Sequence, residues 1–358
     1  MVFAEQSGTT LRRWIAVWLA IVGLLAPMVP SARTVKAQEA VADGDETDQF
    51  IENTDESRAA MERGLEYLAS QQTADGSFSA SHYGKNVAVT ALACLAFMSN
   101  GDLPGRGRYG PQVERGVDFV LNHVHPTGLI AADTSHGPMY GHGFATLLLG
   151  EIYGQTNDPR VRESLIKAVR LIVGAQNPEG GWRYQPQPFD ADLSVTICQI
   201  MALRSARNAG IKVPTTTIDK AIEYVRKSQN SDGGFRYMLG SSGSAFPRSA
   251  AGVAALYYAG VYQDATLEKG LAYLLRHKPG KRQDGGHYFY GQYYAVQAMY
   301  LAGGTYWRTW YPAIRNELLR RQNRADGSWQ GSAGPSYGTA MALIILHVPH
   351  RYLPIFER

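Results

Sequence analysis

From residue 58 onward, apolar and polar positions alternate between two textures. Ile218, Ile222 and Val225, set against Asp219, Lys220, Glu223 and Arg226, recur at helical spacing and predict a helix with one wet face. Between such helices stand runs that are almost wholly apolar and small: VAVTALACLAFM, GFATLLLGEIYG, LSVTICQIMAL, SAAGVAALYYAG, AVQAMYLAG and GTAMALIIL. A helix that is apolar all round must be covered on all sides. The two textures alternate six times, which predicts six helical hairpins.

Residues 166–197 are the clearest copy of the unit: an amphipathic helix closed by Gln176, a Gly-rich turn carrying Trp182, and a second helix starting near Asp190 or Asp192. Turn markers fall at Asp75, Thr127, Glu179, Asp232, Asp284 and Asp326, spaced by 52, 52, 53, 52 and 42 residues. The simplest arrangement is an all-α (α/α)6 toroid over residues 58–358, with the apolar helices as an inner ring inside the amphipathic ones. An open solenoid would need polar terminal caps. The last helix, at 340–348, is as apolar as the middle ones, so a closed ring is expected. Gly76, Gly180, Gly233, Gly285 and Gly327 are expected to end helices in the left-handed region. Gln71 or Gln72, Gln176, Gln229 and Gln322 are placed to bind free groups at helix ends, and Phe78, Trp182, Phe235 and Trp329 to staple units together.

Composition changes little in this picture: 45% hydrophobic and 18% charged residues are an ordinary globular balance for 358 residues. The N-terminus adds more. Arg12 and Arg13 precede an apolar run at 14–29, and Val35-Lys36-Ala37 offers small residues for a peptidase, so residues 1–37 read as a secretory signal and the protein as exported. An uncleaved anchor is the competing reading. Residues 38–57 hold eight acidic side chains and no Lys or Arg, and read as a solvated, disordered leader. The net charge of +4 therefore rests on a basic body, compatible with a membrane surface or envelope partner, although a solvated basic surface is the plainer account. Cys94 and Cys198 lie in separate repeats and are expected as two buried thiols. No phosphate loop, serine-nucleophile motif or nucleic-acid signature is present.

The segments RGLEYLASQQTADGSF, KAVRLIVGAQNPEGGW, KAIEYVRKSQNSDGGF and RNELLRRQNRADGSW resemble the QW repeat of squalene and terpene cyclases and of protein prenyltransferase β subunits. With MYGHGFAT, YYAVQAM and RYLPIF, the chain is similar to exported prenyltransferase/squalene oxidase repeat proteins, whose activity is generally unassigned. The resemblance implies an α/α toroid whose mouth is lined by the N-termini of the inner helices. That places an isoprenoid or other hydrophobic ligand near Tyr140, His142, Trp182, Tyr184, Phe246, Arg248, Tyr290, Tyr293, Tyr294 and Tyr337. Their π faces suit a carbocation or a greasy chain; packing in a core of small residues is the plainer account.

Asp190-Ala191-Asp192-Leu193 resembles the DxDD motif of proton-initiated, class II cyclases, which implies Asp192 as the acid and Asp190 as its neighbour, with Leu193 in place of the third Asp. A helix N-cap is the alternative for either residue. The stretch from His277, HKPGKRQDGGHYFYGQYYAVQAM, resembles a region of protein prenyltransferase β subunits, but the positions that bind zinc there hold no His, Asp or Cys here. His123, His125, His136 and His142, with Asp133, match no tight metal spacing, so neither a metal nor a cofactor is expected. A non-catalytic envelope-binding or scaffold toroid is the alternative to a cyclase-like enzyme. A carbohydrate-active α/α barrel is more distant: it needs an acid and a base across a cleft, and the inner helices offer only Asp190, Asp192 and Glu151.

Overall fold

The structure is a computed structural model that describes residues 53–81, 84–133, 137–280 and 287–357. The expected signal segment, and the leader as far as Glu52, lie outside the described residues. Twelve α-helices follow in alternation. The outer ones are α1 (Asp55–Ser70), α3 (Gly110–Asn122), α5 (Pro159–Gly174), α7 (Thr215–Lys227), α9 (Ala265–Arg276) and α11 (Gly304–Arg321). The inner ones are α2 (Val87–Ser99), α4 (Met139–Ile152), α6 (Leu193–Asn208), α8 (Phe246–Tyr258), α10 (Tyr288–Ala302) and α12 (Pro335–His347).

Each inner helix packs against the inner helix before and after it, and α12 packs against α2, so the ring is closed. Burial follows the two textures. Every residue of α2 except Ala88 is buried, whereas α7 buries only Thr217, Ile218, Ala221, Tyr224 and Val225. α1 begins inside the stretch read as a disordered leader. Thr54 caps it by accepting from the Ser57 amide, and Asp55 and Glu56 sit in its first turn, where the helix dipole favours acidic groups. Charge taken for solvation is there a helix start.

One joint is repeated from unit to unit. The Gln72 side-chain amide donates to Gly76 O of its own turn (3.0 Å) and to Gln112 O at the start of the next outer helix (2.8 Å). Gln176 does the same for Gly180 and Thr217, Gln229 for Gly233 and Thr266, and Gln322 for Gly327 and Ala60, which seals the last unit to the first. The turn glycine adopts positive φ and lies on the next outer helix: a Cβ on Gly180 would come within 2.2 Å of Lys220 O. Only glycine fits there on both counts.

A second recurring bond ties each turn to its inner helix. The backbone N–H of Phe78, Trp182, Phe235 and Trp329 donates to the hydroxyl of Thr90, Thr196, Ser249 and Thr339 respectively, at 2.9–3.0 Å. In the second unit the same place is taken by Ile130 N–H donating to His142 Nδ1 at 3.1 Å.

The end of the ring away from the turns is covered by the C-terminus. Short 3-10 turns at Val348–His350 and Pro354–Phe356 follow α12, with Leu353, Ile355 and Phe356 buried. Ile355 N–H donates to Glu151 Oε2 (2.9 Å), and the Ser205 hydroxyl bonds Glu151 Oε1 (2.6 Å). At the seam, the Tyr311 hydroxyl and Asn53 Nδ2 both donate to Leu346 O.

Candidate functional site

The inner-helix N-termini and their turns form the mouth, where two adjoining cavities lie. The larger, about 390 Å³, has apolar walls from Val87, Leu92, Phe144, Tyr337 and Met341. The smaller, about 320 Å³, is lined by Tyr184, Ser194, Tyr237 and Arg248. Tyr140, His287 and Tyr290 belong to both, so the two share a wall. Both volumes fall within the range of small-molecule sites.

Five of the ten expected lining residues stand on these walls: Tyr140, Tyr184, Arg248, Tyr290 and Tyr337. The other five do not. Trp182 is buried, and its Nε1 donates to Ile172 O on its own outer helix (2.7 Å), so it is a staple. Phe246 packs its ring on Trp310 and His277. Tyr293 and Tyr294 lie buried within the ring, edge to face with each other. His142 is fully buried in the turn-binding slot that threonine or serine fills elsewhere. Because its Nδ1 accepts, Nε2 carries the proton and faces Ala168 O (3.4 Å), and burial pushes the ring pKa down to about 4. A neutral histidine with both nitrogens engaged is a structural group.

Asp192 caps α6: Oδ1 accepts from the amides of Ser194 (2.8 Å) and Val195 (3.0 Å). Its side chain has no exposed surface, and Oδ2 is buried without a hydrogen-bond partner. Desolvation raises the carboxyl to about 6, against the two backbone bonds, the Arg183 charge and the neighbouring Tyr237 hydroxyl, which all favour the ionised form. Arg183 Nε lies 3.8 Å from Oδ2, while its Nη1 pairs with Asp190. Asp190 is half exposed, at 51% of its side chain, so it belongs to the rim and not to a buried acid pair. Arg183 lies over the rings of Tyr184 and Tyr237, whose hydroxyls bond each other. The carboxyl is thus one residue layer behind the smaller cavity, adjoining Ser194 and Tyr237.

Tyr237, His287 and Phe144 are wall residues that reading by sequence missed. The repeat carried a signal for two of them: Tyr237 follows Phe235 at the interval by which Tyr184 follows Trp182, and His287 precedes its inner helix as Asp192 does. Among the described residues no group of three His, Cys, Asp or Glu is placed to hold a metal ion; His136 lies outside them. Cys94 and Cys198 are buried free thiols. No described helix is long and apolar enough to cross a membrane, and the apolar run at 14–29 lies outside the described residues.

Residues 49–291 match the prenyltransferase alpha-alpha toroid domain. Drimenyl diphosphate synthase of Streptomyces showdoensis is 26% identical over 186 residues, 51% of this chain and 33% of that protein, so the match spans a third of the relative's length. Among solved structures, the type II terpene cyclase MstE from Scytonema superposes with a TM-score of 0.57 at 16% identity, covering 84% of this chain and all of that one (100%). The GH76A alpha-1,6-mannanase of Salegentibacter sp. HEL1_6 superposes with a TM-score of 0.62 at 10% identity, covering 82% and 98%. At these identities both likenesses are of fold.

Proposed function

The chain belongs to the prenyltransferase α/α-toroid family, and from that premise we propose that it takes an isoprenoid or similar hydrophobic chain into its mouth and cyclises it by protonation from Asp192. One observation carries the reading: Asp192 is a fully buried carboxyl, raised to about 6, one residue layer behind an aromatic cavity and separated from it by Ser194 and Tyr237. Oδ1 is occupied by two amides, so when the carboxyl is protonated Oδ2 carries the proton. The tyrosines around it offer π faces to a developing cation, and the larger cavity offers an apolar berth for the tail. The likeness to a third of a relative named drimenyl diphosphate synthase supports an isoprenoid ligand. We also propose that the protein is exported, to a periplasmic, secreted or envelope-associated place, with an uncleaved anchor as the alternative, on the strength of the Arg12-Arg13 pair, the apolar run and the Val35-Lys36-Ala37 end taken together. The test is product formation from polyprenyl substrates by wild type and Asp192→Asn. Loss of product with binding retained supports the acid; unchanged turnover removes it.

A second reading, binding without turnover, has its own support. Asn86, which is no acid, caps α2 with the same two bonds that Asp192 makes to α6. Under this reading wild type binds saturably, forms no product, and loses affinity when Tyr140 or Tyr290 becomes Ala. The carbohydrate reading has less to rest on, because Glu151 lies at the far end of the ring, bonded to Ser205 and Ile355.

A further inference from the structure

Asp192 is walled off from the space a ligand would fill. Its side chain has no exposed surface, and Ser194 and Tyr237 stand between it and the smaller cavity. The two differ in how firmly they are held. Ser194 sits in the first turn of α6, where its N–H donates to Asp192 Oδ1 (2.8 Å) and its carbonyl accepts from the Tyr290 hydroxyl (2.8 Å). Tyr237 is anchored by its backbone, whose carbonyl accepts from Leu193 N–H (2.9 Å), and its side chain is partly exposed. Its hydroxyl bonds that of Tyr184, also partly exposed, and the Arg183 guanidinium lies 5.2 Å from the Tyr184 ring centre and 5.9 Å from that of Tyr237. The phenol can therefore turn about its side-chain bonds while the anchoring backbone bond stays whole. Passing the proton through the phenol is the other way across, and it is the weaker one. Burial and the bond with Tyr184 raise the Tyr237 hydroxyl above its ordinary value, so at the cavity face it is a far poorer acid than the carboxyl behind it.

We propose that the Tyr237 side chain is a gate: it swings out of the wall, giving up its hydroxyl bond to Tyr184, and lets Asp192 Oδ2 meet whatever fills the smaller cavity. The step rests on Asp192 as the acid and adds to that reading the movement by which the acid reaches its ligand. Tyr237 and Tyr184 act through Asp192 and are positioning residues. Closed, the gate keeps the carboxyl from water; open onto a cavity filled by a hydrophobic chain, it still admits none.

The test treats the full chain with dicyclohexylcarbodiimide, a hydrophobic reagent that attacks protonated carboxyls, and follows modification of Asp192 by mass spectrometry. No substrate is needed, so the result is separate from the turnover assay of Asp192→Asn. Wild type is expected to be modified below the urea concentrations that unfold it, at a rate that low urea leaves unchanged. Tyr184→Phe removes the hydroxyl partner of the gate and should react roughly fivefold faster, the worth of one neutral hydrogen bond. In Tyr237→Ala the pH midpoint of the reaction should fall from about 6 toward the ordinary carboxylate range, because water then reaches Asp192. Thermal melts confirm that both variants fold. A wild-type rate that climbs with urea in step with unfolding, or one that Tyr184→Phe leaves unchanged, overturns the gate. Modification as expected, together with unchanged turnover in Asp192→Asn, upholds the gate and removes the acid.

Discussion

Asp192 and Asn86 hold the same post in two units of the ring: each accepts, through Oδ1, from the amides two and three residues ahead, at 2.8 and 3.0 Å for Asp192 and 2.9 and 3.1 Å for Asn86. Capping therefore needs no charge here. Asp192→Asn keeps the cap and removes the desolvated carboxyl, so it is expected to unfold no more easily than wild type at pH 7. Asp192→Ala loses the cap and is expected to cost about 1 kcal/mol in chemical denaturation. A loss of activity in the Asn variant then reports the proton and not the fold.

Buried ionisable groups oppose one another in the pH dependence of stability. Burial raises Glu151 to about 7 and Asp192 to about 6, so each binds its proton more tightly folded than unfolded, and its contribution is lost as pH rises through those values. His142 and His347, lowered to about 4 and about 3, work in reverse, and their contribution is lost as pH falls below the usual histidine range. Between roughly pH 4.5 and 6 the two slopes oppose each other, and His350, also lowered by burial, tips the balance so that stability is expected to rise gently with pH. Glu151→Gln mimics the protonated carboxyl, with its oxygen free to accept from Ile355 N–H. Its stability should rise with pH over that window and exceed wild type by about 3 kcal/mol above pH 7, read from urea midpoints across pH.

The repeated glutamine should cost the same at the seam as inside the ring. Gln176→Leu removes the bonds to Gly180 O and Thr217 O, and Gln322→Leu those to Gly327 O and Ala60 O, while the helical carbonyls of Thr217 and Ala60 keep their intrahelical partners. Each is expected to lose about 2 kcal/mol in denaturation experiments. A much smaller loss for Gln322 would mean that the ring opens at that joint.

His142 should be replaceable by the residue its slot holds in other units. His142→Ala leaves the Ile130 amide buried without an acceptor and should cost about 2 kcal/mol beyond the lost packing. His142→Thr restores an acceptor and should recover part of that in thermal melts. Equal damage from both would point to a role other than holding the turn.

The ring was legible in the sequence because a repeat states its fold several times over. Gln72, Gln176, Gln229 and Gln322 recur before their glycines and all make the same pair of bonds. The site was legible only in part, because helix-start position does not decide which way a side chain faces. Tyr290 and Tyr294 lie one helical turn apart on α10, yet only Tyr290 reaches the cavities, while Tyr294 is buried with its hydroxyl 3.3 Å from Cys198 Sγ. His142 looked chemical by residue type, and aligning the units would have shown it opposite Thr90, Thr196 and Ser249. Tyr237 sits in a turn, away from the helix starts at which a toroid's mouth residues are expected.

The joint from Gln322 to Ala60 uses the same parts as every glutamine joint within the ring, so at this joint the seam is bonded as the interior is. A gene rearranged to start at α5, with a linker joining residue 357 to residue 53, should still yield the ring. Excising one hairpin should not, because five staves would have to meet at angles set for six.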